Sequence, residues 1–238
     1  MKMKKISLCI TNYNRNALLF KSFEQVINDD RISEICIWDD FSDSTLYSAL
    51  LERVKYMPKV RITRSEMNKG VYEAKFMAVQ MASNEYCIIF DSDNVIDVSY
   101  IDKLYSVNWF DKQILAPDFA YPTFDYRNFA GTTYNKTNVA PFAFRPGFDC
   151  LMNTMNFFVH KYSYLAVWQK KDGIKGADSI YFNYLWLMAG NEIHVLKGLE
   201  YFHRVEGHGT EARSNFVNHA AESTPICKEI ERQISLMR

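Results

Sequence analysis

The chain is 238 residues long and carries 28 basic and 28 acidic side chains. A formal charge of zero argues against a protein held to nucleic acid by bulk positive charge. A hydrophobic share of 48% excludes disorder as the dominant state, nine Gly and six Pro exclude a fibrous or low-complexity chain, and the one unusual figure is 15% aromatic.

The opening Met1-Lys2-Met3-Lys4-Lys5 has the charge of a leader, but the apolar run behind it stops at Ile10 and is too short for one. Ile6 to Ile10 reads instead as a buried strand, ended by the polar turn Thr11 to Asn16. Apolar residues at helical spacing then predict a helix over 17–28. Ile35 to Trp38 is a second strand, stopped by Asp39-Asp40. Residues 44–57 form a second helix with Asp43 or Ser44 as its N-cap and Pro58 behind it. Val60 to Ile62 is a third strand. The turn Asn68-Lys69-Gly70 opens a third helix over 71–82, and Tyr86 to Phe90 is a fourth strand ending on Asp91-Ser92-Asp93-Asn94.

Strands alternating with helices imply an α/β fold with a parallel sheet and crossover helices. Ligands bind such sheets beyond the carboxyl ends of the strands. Three of the four strands end there in polar groups, so Thr11 to Arg15, Asp39-Asp40 and Asp91 to Asn94 are expected to converge on one edge. From Pro117 the character changes. Fourteen aromatics fall within residues 119–168, so some rings there are expected to face a cleft while most fill the core. A helix over 177–189, a strand over 193–196 and an amphipathic helix over 218–237 close the chain. No linker appears, so one domain over 1–238 is expected, with halves 1–115 and 116–238.

Cys9, Cys36, Cys87, Cys150 and Cys227 include no CxxC pair, and the first three lie in apolar runs. Buried reduced thiols suit a cytoplasmic protein. No stretch reaches the roughly 18 apolar residues of a spanning helix. A peripheral membrane contact is compatible with the sequence.

Asp91-Ser92-Asp93 places two carboxylates around one spacer at a strand end, where a cation relieves their repulsion. Hard oxygen ligands suit Mg²⁺ or Mn²⁺ bridging to phosphates. The plainer reading is a polar strand-ending turn. The block running from Asn68-Lys69-Gly70 through Ala74-Lys75 to Glu85-Tyr86 and Asp91-Ser92-Asp93 resembles the nucleotide-sugar-dependent glycosyltransferases of family 2, which have the GT-A fold. Lys75 stands where that family usually has Arg, and Asn84 where it has Gly, a position read as tolerant of positive φ. Thr11-Asn12-Tyr13-Asn14-Arg15 is similar to the family's first-strand motif, and Trp38-Asp39-Asp40-Phe41-Ser42-Asp43 to its second, with Phe41 in place of the usual Gly.

The resemblance covers roughly residues 5–213 and implies an inverting transferase that moves a sugar from a nucleoside diphosphate to the hydroxyl of a glycan or glycolipid, the chemistry of polysaccharide biosynthesis. It implies that Thr11, Tyr13, Arg15, Asn68, Gly70, Lys75, Asp91 and Ser92 receive the donor. Asp40 would accept from the pyrimidine N–H, which points to UDP or TDP ahead of GDP. Asp91 and Asp93 would hold Mn²⁺ or Mg²⁺, and in the segment Tyr201 to Thr210 His203, Arg204 or His208 would contact phosphate or supply a third metal ligand, His208 ahead of His203 as that ligand. Gly176-Ala177-Asp178 is similar to the family's Glu-Asp motif, so Asp178 inherits the general base, with Ala177 in place of the Glu. The competing reading makes Asp178 only the N-cap of the following helix.

Two other functions compete. A sugar nucleotidyltransferase needs a Gly-rich phosphate loop after the first strand, and Thr11 to Asn16 has no Gly. A non-catalytic nucleotide- or sugar-binding module descended from a transferase fits the loss of Glu at Ala177.

Overall fold

The computed structural model describes residues 3–122, 124–142, 156–174, 177–203 and 225–236. Strands β1 (Ile6–Asn12), β2 (Ile32–Asp39), β3 (Val60–Arg64) and β4 (Tyr86–Asp91) pair in parallel in the spatial order β3-β2-β1-β4. Helices α1 (Asn16–Phe23), α2 (Ser44–Val54) and α3 (Val71–Met81) make the crossovers. The predicted first helix is shorter than its apolar spacing. It ends at Phe23, yet Val26 is still fully buried, held by i to i−3 turns such as Val26 N–H to Phe23 O at 3.0 Å. Asp43 caps α2 as expected, accepting from Thr45 N–H at 2.8 Å.

Beyond β4 come α4 (Val98–Tyr105), β5 (Gln113–Tyr121), β6 (Phe124–Asp125), β7 (Thr133–Tyr134), β8 (Phe158–His160), α5 (Lys161–Val167), α6 (Asp178–Met188) and β9 (Glu192–Phe202). The sheet continues from β4 through β8, β5 and β9 to β7, with β6 paired to β5. Three-residue β8 runs antiparallel to both β4 and β5, with Phe158 opposite Ile88 on one side and Leu115 on the other. A last helix over 225–235 packs at the end of the described chain.

The period-2 alternation of the strands splits the core between the two faces. Ile6, Leu8, Ile10, Ile35, Ile37, Ile88 and Phe90 point toward α1, α2 and α4. Cys9, Cys36, Trp38, Cys87 and Ile89 point toward α3, α5, α6 and the last helix. Cys9, Cys36 and Cys87 are buried free thiols, as expected, while Cys150 lies outside the described residues. Most described rings of the aromatic segment belong to the core: Tyr126, Tyr134, Phe157, Phe158 and Tyr164 are buried, Phe124, Phe129, Phe142 and Trp168 are partly buried against them, and Tyr121 and Tyr162 are exposed. Among the described residues no helix is long and apolar enough to cross a membrane.

Candidate active site

Strand register brings the expected edge together. Thr11 pairs with Trp38 on one side and Asp91 on the other, and Asn12 pairs with Asp39. The two aspartates of the second strand end then divide their work. Asp39 is fully buried and accepts from Asn12 Nδ2 at 2.9 Å, Ser42 N–H at 3.0 Å and Ser42 Oγ at 2.6 Å. It pins the strand end. Asp40 accepts from the backbone N–H groups of Lys69 at 2.9 Å and Gly70 at 2.8 Å, one on each oxygen, while Asn68 Nδ2 donates to its carbonyl at 3.1 Å. Burial raises the Asp40 pKa, and the two N–H donors oppose that shift without cancelling it. The carboxylate still has acceptor capacity, since two oxygens offer about four lone-pair sites. Gly70 stands at the N-cap of α3 with φ of 85°, a conformation that suits glycine.

Lys75 faces inward from α3 and is almost completely buried. Its Nζ lies 2.9 Å from Asp91 Oδ1 and 2.9 Å from Asp178 Oδ2. One ammonium therefore joins the end of β4 to the start of α6. Burial alone lowers a lysine pKa, but these two carboxylates outweigh it and raise this one above its ordinary value. Burial likewise pushes Asp91 up, and Lys75 with Asn156 outweighs it, leaving Asp91 below the usual carboxylate range. The N-cap reading of Asp178 does not hold. Ala177 occupies the cap position, no side chain caps the helix, and the Asp178 carboxylate goes to Lys75 instead.

Asp93 pairs with Arg15 at 2.8 Å across the mouth of the edge. Ser92 between the two aspartates is buried, and Tyr13 is half exposed on the loop after β1. Asn156 is the functional-looking residue that sequence reading missed. Its Oδ1 accepts from Asp91 N–H at 2.8 Å, and its Nδ2 donates to Asp91 Oδ2 at 3.2 Å and to Tyr201 Oη at 3.1 Å. Nothing in its local sequence signals this, because the contact is made 65 positions away. His203 N–H donates to Tyr121 O at 2.8 Å, and its ring lies 4.8 Å from that of Phe124. His208 and Arg204 lie outside the described residues. Asn84 does not adopt positive φ; its Nδ2 donates to Ser7 Oγ at 2.9 Å and to Ser33 Oγ at 2.7 Å, so it is a side-chain tie.

Among the described residues no group of three or more His, Cys, Asp or Glu is placed to hold a metal ion. Asp91 and Asp93 offer two hard carboxylates at one strand end. That donor set fits a cation which takes one or two carboxylates and completes its shell with phosphates and water.

A family model described as glycosyl transferase family 2 matches residues 7–165. An abequosyltransferase of Salmonella typhimurium, RfbV, is 32% identical over 95 residues, which are 38% of this chain and 28% of that protein. The structure of GalNAc-T7 with UDP, GalNAc and Mn²⁺ superposes with a TM-score of 0.65 at 17% identity, covering 92% of this chain and 48% of that one. The S. aureus TarS 1–349 complex with UDP-GlcNAc gives 0.65 at 15% identity, over 97% and 71%. At such identities the structural likeness shows a shared fold, which is GT-A.

Proposed function

Because the chain belongs to glycosyl transferase family 2, we propose that it moves a sugar from a nucleoside diphosphate, UDP first, to an acceptor hydroxyl of a glycan or glycolipid. The observation that carries this reading is the clasp of Asp91 and Asp178 by Lys75 at 2.9 Å on each side. It sets the strand end suited to a diphosphate beside a carboxylate suited to a base. The RfbV likeness supports a sugar-transfer role, and the TarS structure of the same fold holds UDP-GlcNAc.

In the reaction the acceptor oxygen attacks the anomeric carbon as the bond from that carbon to the diphosphate oxygen breaks. The diphosphate leaves with the bonding pair, and the hydroxyl proton passes to Asp178. Attack opposite the leaving group inverts the anomeric centre. The Asp178 Oδ2–Lys75 contact fixes the base, which leaves Oδ1 to take the proton. Arg15 stands beside Asp93 at the place where charge develops on the leaving group. Asp91 and Asp93 are the residues that would hold Mg²⁺ or Mn²⁺, which when bound neutralises charge on the departing diphosphate. Asp40, with the Asn68–Gly70 turn on its carboxylate, lines the base end of the donor.

A screen of UDP-, TDP- and GDP-sugars by mass spectrometry, with Mn²⁺, tests the reading. Asp178→Asn is expected to cut turnover by about 10²–10⁴-fold, the usual worth of a general base, while UDP binding stays. Donor binding with no turnover in the wild type, and no change in Asp178→Asn, would instead identify a binding module.

A further inference from the structure

The residue directly after Asp40 is held in a conformation its side chain disfavours. Phe41 has φ of 69°, in the left-handed region where a Cβ crowds the backbone. Strain of this kind persists only where the surroundings over-determine it, and it clusters at ligand clamps and active sites. Core packing does not account for it here, because the ring is 47% exposed.

The ring is nevertheless held. The Arg64 guanidinium lies 5.1 Å from its centroid and 4.7 Å from that of Tyr47, so it is interleaved with both rings. Arg64 is itself anchored by the Ser42 carbonyl and by Asp39 at 3.6 Å. Among the described residues no aromatic ring packs on Phe41. The turn is laced to the loop after β1, through Asn14 N–H to Ser42 Oγ at 2.9 Å and Asp43 N–H to Asn14 Oδ1 at 2.8 Å. That loop carries Tyr13, which is 49% exposed. Two half-exposed rings thus stand on two joined loops at the ends of neighbouring strands, with Asp40 directly before Phe41 in the chain.

We propose that Phe41 is a specificity-determining residue of the donor site, whose open face stacks on the pyrimidine base of the nucleoside diphosphate. This rests on the reading of the edge as a donor site. A flat apolar ring backed by a guanidinium matches the π-face of a base, and stacking on a rigid, preformed ring costs little ordering. The ring gives affinity for the base, while Asp40 reads its N–H edge.

Calorimetry with the full chain in Mn²⁺ tests this, using UDP and, as a probe without a base, inorganic pyrophosphate. Phe41→Gly removes the ring and relieves the backbone, so its thermal midpoint is expected at or above that of the wild type. Its UDP affinity is expected to fall by about tenfold or more, the usual worth of one stacked base, with pyrophosphate binding unchanged. Phe41→Tyr is expected to keep UDP affinity within about twofold, since its ring presents the same face. An unchanged UDP affinity in Phe41→Gly overturns the assignment, and so does an equal loss of UDP and pyrophosphate. A wild-type chain that binds none of UDP, TDP and GDP overturns the donor reading and this assignment together.

Discussion

Lys75 occupies a position where a cation is needed whether or not a substrate is present. Two carboxylates reach one buried spot from different elements, and without an ammonium between them neither is compensated. Removing one partner of a buried ionic group costs about 3–5 kcal/mol. Lys75→Met is therefore expected to lower stability in urea by that order and to abolish turnover. Lys75→Arg keeps the charge but not the compact point contact, so it is expected to keep most of the stability and lose part of the rate. The pH dependence has a definite sign. The Asp91 pKa lies below its ordinary value of 3.8 in the folded chain, so its contribution to stability is fully present above that value and fades as pH falls through the folded pKa. Lys75→Met removes the largest cause of that depression and is expected to flatten the acid limb of the stability curve. Urea midpoints measured from pH 3 to pH 7 decide it, and a Lys75→Met chain as stable as the wild type, with the same acid limb, would refute this account.

At the scale of elements, a second carboxylate ties the opposite end of the sheet. Glu34 on β2 accepts from Ser7 Oγ of β1 at 2.6 Å and from Ser83 Oγ, ahead of β4, at 2.9 Å, and pairs with Arg61 of β3 at 2.7 Å. Burial pushes its pKa up, but these hydrogen bonds outweigh that and leave it below its ordinary 4.5. The contribution is complete above pH 4.5 and lost as pH falls through the folded value. Glu34→Gln is expected to cost about 1–3 kcal/mol near neutral pH and to lose little more on acidification; an unchanged acid slope in that variant would sink the idea. None of this tie is visible in a sequence, because its partners lie between 27 and 49 positions away. The same reason separates the legible half of the fold from the rest. Strands β1, β2 and β4 each carry an apolar run that ends on Asn or Asp, so the edge carrying Thr11, Asp40 and Asp91 could be read directly. Strand β5 could not, because Pro117 and Asp118 interrupt its pattern. The structure absorbs them in a register shift between Pro117 and Phe119, with Asp118 accepting from Gly198 N–H at 2.9 Å. At the site, local motifs located Asp91 and Asp178, but their common dependence on Lys75 and the hold of Asn156 on Asp91 are long-range contacts that leave no periodic trace.

The whole molecule depends on how the face that carries Lys75 and Asp178 is closed. The sequence leaves the terminal amphipathic helix two destinations, this core or a partner, and the structure gives it the first. Ile230 and Ile234 are buried in the same cluster as Tyr72, Ala78 and Val79 of α3 and Phe182 and Trp186 of α6, with Ile226 against its edge. The helix thus closes the same core cluster into which the two elements that supply the ammonium and the base are packed, and its loss from that cluster is expected to loosen their spacing. Truncating a buried isoleucine to alanine costs about 2–5 kcal/mol, part of it for the cavity left behind. The double variant Ile230→Ala, Ile234→Ala is expected to lie at the lower end of that range per site, because a terminal helix can shift inward to fill the space. Its effect on catalysis separates this packing from a merely additive stability loss. With α3 and α6 less firmly held, kcat is expected to fall by about tenfold at a temperature where the chain remains folded, since small misplacements of positioned groups are costly. The KM for the donor is expected to change little, because the Asp40 carboxylate is held by backbone N–H groups of the turn ahead of α3 and not by a side chain of that cluster. Steady-state kinetics beside circular dichroism at one temperature measure both. An unchanged kcat in a folded double variant would show that the helix covers the core without setting the site.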